Sequence, residues 1–195
     1  MTTLESVLSE RGYKVANIDY PSREKPIEEL SPLAIEAGLQ ALGPDRNDRI
    51  HLVTHSMGGI RIRYYLKHNE LGNLGHVVMI APPDQGSKVV DNLANVPGFS
   101  LVNGPAGLQL GTDKNSISSK LEPVGFSVGI IAGTTTFNPV LSQFLPNPDD
   151  GKISGEGTAD FREVAASHPF IMNDDTVLNH AIAFIETGAS AENEP

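Results

Sequence analysis

The chain has 195 residues, 39% of them hydrophobic and 19% charged, with no cysteine and a formal net charge of −10. That length suffices for one domain with a proper core, and the acidic balance argues against nucleic acid, whose phosphates need basic patches. Disulfides and thiolate metal sites are excluded, and no apolar run reaches membrane-spanning length.

The opening "MTTLESVLSERGYKV" lacks the charged start and apolar middle of a signal peptide, so a cytoplasmic location is the default expectation. It reads instead as a helix: Thr2 with Glu5 predicts a capping box, Leu4, Val7 and Leu8 share a face, and Gly12 suits the C-terminal turn. "KVANIDYP" predicts a short buried strand closed by Pro21. From Pro26 to Leu42 apolar residues recur at helical spacing until Gly43-Pro44 stops the run. "RIHLVT" predicts a second strand, Met57 to His68 a helix, and "HVVMIAPP" a third strand.

Residues 87 to 123 break this rhythm, because Gly98, Gly104, Pro105, Gly107, Gly111 and Pro123 interrupt every periodic run. The stretch is expected to be an excursion from the core, a loop-rich cap or short helices over a site. "FSVGIIAGT" restores a buried strand, "PNPDDGK" is a turn cluster, "DFREVAA" a last strand, and Asp174 to Glu186 a closing helix. Strands alternating with helices predict an α/β fold with a mainly parallel sheet flanked by helices, as one domain over residues 1–195.

The chemistry gathers at "THSMGG". A strand-turn-helix can hold its turn residue strained, with the side chain projecting above the sheet, provided that small neighbours let strand and helix approach closely. Gly58 and Gly59 meet that need on the helix side, while Thr54 stands where the strand-side glycine of G-x-S-x-G would be. Ser56 is then a candidate nucleophile, with the N–H of Met57 as oxyanion donor at a helix N-terminus. The plainer alternative is that Ser56 only caps the helix.

A nucleophilic Ser needs a His base, and the His needs a carboxylate to set its tautomer. His51 and His55 sit on the strand beside the Ser, His68 and His76 at a helix end and a strand start, and His180 inside the last helix. His168 lies in a loop after the last strand and before the last helix, in the chain order Ser, acid, His. For the acid, Asp150 precedes Gly151 in a sharp turn, Asp149 is its close competitor, and Asp160 and Asp175 are less well placed. The carboxylates of "DRNDR" and "PNPDDGK" lack the ligand spacing of a calcium loop, and "GPAGLQLG" follows no strand that would make it a dinucleotide turn, so no metal or cofactor is expected.

Taken together, "VANIDYPSR", "THSMGGIRIRYYL", "VVMIAPPDQGS", "NGPAGLQLGT", "IAGT", "PDDGKIS" and "SHPFIM" resemble a bacterial α/β-hydrolase of the lipase-like serine esterase type, in family order. The resemblance implies Ser56 as nucleophile, His168 as general base and acid, Asp150 as orienting carboxylate, and hydrolysis of a small-molecule or lipid carboxylic ester through an acyl-enzyme. Asp84 departs from the family's usual asparagine and adds a negative charge near the site. Members of the family also carry an apolar strand and a His-Gly oxyanion loop before the helix that begins here near Thr2. That strand lies between those that "VANIDY" and "IHLVTH" resemble. Either these two pair directly here, or the sequence is a truncated reading of a longer protein, and truncation is the expectation. Loss of one oxyanion donor would cost roughly 10²–10³ in turnover. The alternatives to an esterase are an acyltransferase with the same triad, a catalytically impaired remnant of the fold, and, less well supported, a loop-capped protease.

Overall fold

The protein, seen in a computed structural model, is described over residues 1–43, 48–83, 90, 99–112, 114, 116–121, 125–135, 159–167 and 170–191. The elements run α1 (Thr2–Glu10), α2 (Ile27–Ala41), β1 (Ile50–His55), α3 (Met57–His68), β2 (Leu74–Ile80), α4 (Phe99–Leu108), α5 (Ile117–Lys120), β3 (Val128–Thr135), β4 (Ala159–Ser167), a 3-10 turn at Ile171–Asn173 and α6 (Asp175–Thr187). The four strands form a parallel sheet in the order β1-β2-β3-β4. Among the described residues, no helix is long and apolar enough to cross a membrane.

The near-continuous apolar run of β2 explains its place inside the sheet, where both faces are covered. Val77 and Met79 point toward Ile62 of α3, with Val128 and Ile130 of β3 beside them. Val78 and Ile80 point the other way, into a layer built from Leu4 and Leu8 of α1 and Val177, Ala181, Phe184 and Ile185 of α6. Each such fully buried side chain contributes roughly 1.5–3 kcal/mol relative to exposure, so these two layers are the main stabilising term. A third cluster joins Ile27 and Leu30 of α2, Ile60 of α3, and Ala106 and Ile117 of the excursion.

The expected helices and four of the five expected strands are present, with two corrections. The helix α1 is capped by Met1, not by a capping box: Thr2 is already helical and makes no side-chain cap bond. Glu5 spends its carboxylate on Asn17 Nδ2 (2.8 Å). The second correction concerns "KVANIDYP", which forms no strand. It does not pair with β1, which ends the sheet and is only partly buried after Ile50. A strand exists only where a neighbour completes its ladder, and none of the described strands does so here. Tyr13 and Val15 still pack on the α1/α6 layer, and Lys14 Nζ donates to Leu42 O (2.7 Å).

Two histidines tie the sheet's lower half to pH. His51 packs edge-on to Tyr13 and accepts the backbone N–H of His76 on Nδ1 (3.0 Å). Burial lowers its pKa from the ordinary 6.5, and the charges of His76 and Arg49 add to the effect. His180 of α6 is only 3% exposed; burial lowers its pKa first, Arg162 adds, and Asp160 and a backbone bond to Ala191 oppose. Both folded-state values lie below the unfolded one, so the unfolded chain takes up protons first as pH falls. The stability these groups contribute is present above about pH 6.5 and is lost as pH falls through the lowered folded pKa values. Thermal melts should therefore show a Tm that is level near pH 7.5 and declines from 6.5 toward 5. His180→Gln should flatten that decline; an unchanged slope would remove His180 from the account.

Candidate active site

The parallel strands all end at one edge of the sheet, the edge where α/β proteins place ligands. Ser56 stands there between the last residue of β1 and the first of α3, with φ 53° and ψ −130°. A non-glycine residue in this region is strained, at a cost of about 1–3 kcal/mol, and persists only where its surroundings over-determine it. Hydrogen bonds on both sides of the residue supply that constraint. The N–H of Ser56 donates to Ile80 O (2.8 Å), so the turn is anchored to the end of β2, and its own carbonyl accepts from Gly59 N (3.0 Å) to start the helix.

The two glycines are required by space. A Cβ on Gly59 would lie 2.9 Å from Pro82 Cβ and 3.3 Å from Met79 Sδ, and one on Gly58 would lie 3.0 Å from Thr54 Cβ. The first turn of α3 is thus pressed against β1 and against the chain leaving β2, as the sequence pattern anticipates. Thr54 is accommodated as the strand-side residue because its bulk meets a glycine. Met57 opens α3, so its N–H belongs to the unpaired first turn, where developing negative charge is favoured. Its side chain packs against the third cluster, as do Tyr20, Tyr64, Leu110 and Leu121.

The end of β2 repeats the device. Ala81 also has positive φ, 47°, and its N–H donates to Ile131 O of β3 (2.7 Å). Further along the same edge, β4 ends at Ser167, whose carbonyl accepts from Phe170 N (3.0 Å). His168 follows Ser167 directly in the chain, but His168 itself lies outside the described residues, as do Asp150, Asp149 and Asp84. The structure therefore describes Ser56 and the Met57 N–H at one turn, and does not describe the candidate base and acid. Asp160 is occupied elsewhere: it accepts Ser190 N–H (2.6 Å) and pairs with Arg162 (3.5 Å). Asp174 caps α6 through Thr176 N (3.0 Å) and Val177 N (3.2 Å), leaving Asp175 in the first turn.

Within residues 87–123, Ala106 and Ile117 belong to the cluster against which Met57 packs. Gly104 interrupts α4 with φ 65°, and a Cβ there would fall 2.0 Å from Arg23 O. Gln109 Oε1 accepts the N–H of Ile27 (2.7 Å), capping α2 from another part of the chain, and Gln109 Nε2 donates to Glu28 (2.7 Å). Sequence reasoning assigned Gln109 no task, and local pattern carries no signal for a cap supplied from 82 residues away. It also passed over Arg61 and Arg63, both buried. There a signal existed: two arginines two positions apart in a helix lie about 200° apart, so they cannot share one solvent face.

No family model matches the chain, and no curated protein sequence does. Solved structures do resemble it. Phospholipase PlaB from Legionella pneumophila aligns with a TM-score of 0.52 and 16% identity, over 72% of this chain and 38% of that one. The mature lipase BlEst2 of Bacillus licheniformis aligns at 0.49 and 14%, over 73% and 69%. The Vlm2 thioesterase domain aligns at 0.46 and 12%, over 90% and 79%. At such identities the likeness to the phospholipase shows the fold alone: the chain has the α/β-hydrolase fold and spans 38% of that neighbour's length.

If the turn at Ser56 stores strain, a residue without a Cβ relieves it. Ser56→Gly should be more stable than Ser56→Ala by about 1 kcal/mol in chemical denaturation, against the usual penalty for introducing glycine. Equal or lower stability of the glycine variant would mean that the turn is relaxed.

Proposed function

We propose that the protein is a serine hydrolase that cleaves carboxylic esters through an acyl-enzyme. The observation that carries the reading is the backbone of Ser56: a positive-φ serine at the junction of β1 and α3, held against two crowded glycines. A capping serine has no use for that conformation, since N-cap residues sit comfortably in the β region. A nucleophile does, because the turn lifts its hydroxyl clear of the sheet.

In this reading His168 takes the Ser56 proton as Oγ attacks the ester carbonyl, and Asp150 holds the imidazole in the required tautomer. The Met57 N–H stabilises the oxyanion. His168 then protonates the departing alcohol, and later activates the water that frees the acid. β4 lies three places from β1, roughly 14 Å at about 4.8 Å per strand, so the residue after Ser167 must reach inward over the ends of β2 and β3. Residues 87–123 form the cap that shapes the acyl site in one domain over 1–195, supported by the packing of Leu110 and Leu121 in the cluster that holds Met57.

The test is hydrolysis of p-nitrophenyl butyrate by the 195-residue chain together with labelling by a fluorophosphonate. Ser56→Ala should lower turnover by at least about 10³-fold and abolish labelling. Turnover that persists in Ser56→Ala would refute the assignment of the nucleophile, and an intact chain that neither turns over nor labels would make it a non-catalytic member of the fold.

A further inference from the structure

One turn into α3, on the same face as Met57, stands Arg61, which is 2% exposed. Side chains on a helix lean toward its N-terminus, so the guanidinium returns to the level of Met57, and Nη2 lies 3.7 Å from Met57 Sδ. Its remaining contacts are the face of Tyr20, 4.4 Å from the guanidinium carbon to the ring centroid, and Ser22 O, 3.3 Å from Nη2. Nε and Nη1 are buried with no hydrogen-bond partner. Among the described residues no carboxylate pairs with it; burial, the largest influence, lowers its pKa, and the Tyr20 side chain opposes that.

This is a costly way to keep a cation. Buried charges in proteins are paired, and an uncompensated one is worth several kcal/mol of destabilisation. The aromatic face returns only part of that. Position makes matters worse, since the first turn of a helix is its positive end and disfavours a cation. Both unfavourable terms reverse sign if an anion sits there. Moreover, the contact to Ser22 O is long for a charged donor, which normally settles at about 2.7–2.9 Å, so little holds the guanidinium where it is.

We infer that Arg61 anchors an anionic group, a carboxylate or a phosphate, carried by the substrate close to its scissile ester. The inference rests on the ester-hydrolase reading of Ser56, in which Met57, the residue whose side chain Arg61 touches, supplies the oxyanion N–H. The preferred substrates are then esters with a negative charge a few bonds from the carbonyl, on the acyl or the alcohol side. Neutral esters of the same length leave the guanidinium unpaired and are poorer.

Two matched pairs test this: methyl hydrogen glutarate against methyl pentanoate, and 1-butyrylglycerol 3-phosphate against 1-butyrylglycerol. In at least one pair the protein should favour the charged ester by about tenfold or more in kcat/KM, and Arg61→Gln should lower that ratio by about 10- to 100-fold, as expected for a charged hydrogen bond. The pair that responds tells whether the anion belongs to the acyl or the alcohol part. A ratio near one in both pairs, or one that Arg61→Gln leaves in place, overturns the anchor. Circular dichroism checks that Arg61→Gln is folded; if it is not, Arg61→Lys, which keeps the charge but loses the planar fork, should lower the ratio by a smaller factor. Calorimetry separates the two readings. Ser56→Ala should bind whichever charged ester is preferred and lose that binding on adding Arg61→Gln. Binding without any Ser56-dependent hydrolysis would reject the esterase reading, and the substrate role of Arg61 with it. Hydrolysis of neutral esters without binding of the charged ones would reject the anchor alone.

Discussion

Everything at the candidate site depends on how closely the first turn of α3 approaches the ends of β1 and β2. A Cβ on Gly59 would already be 2.9 Å from Pro82, so the helix lies in backbone contact with the chain leaving β2, and the turn from β1 into α3 is made within one residue. That residue is Ser56, and its positive φ is the consequence. The strain is held because its N–H is committed to Ile80 O while its carbonyl begins the helix. Ala81 meets the same demand one strand further on, with its N–H committed to Ile131 O. Two successive strands thus end in strained residues, each fastened to the next strand, and the C-terminal edge of the sheet is stitched by the bonds that create its strain.

The same tight junction dictates the burial of α3. A helix pressed against the sheet and covered on its far side by α2 and by residues of the excursion has little solvent face to offer, and the sequence I60-R61-I62-R63 is compatible with that enclosure only because both arginines are buried. Their side chains are long enough to find backbone partners: Arg61 reaches Ser22 O and Arg63 reaches Leu121 O (3.3 Å). In both cases the partner belongs to the chain lying over the helix.

Most of the architecture was legible because it is written in local periodicity. The helix α6 shows this best: Val177, Leu178, Ala181, Ile182 and Ile185 all fall on the buried face, and Asp174 caps as its type suggests. The site's turn was legible for a different reason, since two glycines after a serine record a steric demand. What failed was non-local. "KVANIDYP" has the composition of a strand, but being a strand is a relation between two chains of hydrogen bonds, and β1 offers the segment no ladder. Gln109 caps a helix far away in sequence, and the depth of Arg61 follows from what lies over it. Asp150 and His168, chosen by chain order and turn chemistry, rest on the sequence alone.

An acidic protein with a net charge of −10 is an unexpected host for an anionic substrate, and magnitudes resolve the conflict. Surface charges are screened over about 8 Å at physiological ionic strength, so the carboxylates spread over the exterior act on a ligand in the site only weakly. A desolvated guanidinium acts at contact distance in a medium of much lower effective dielectric, where one close charge outweighs many remote ones. The surface charge then bears on how often an anion arrives, and Arg61 on how firmly it is held once there. The helix N-terminus adds to the second term but is too weak to supply it alone. On this argument the energy of burying Arg61 without a described anionic partner is not wasted in the free protein: it is the differential interaction that an anionic ester relieves and a neutral one does not.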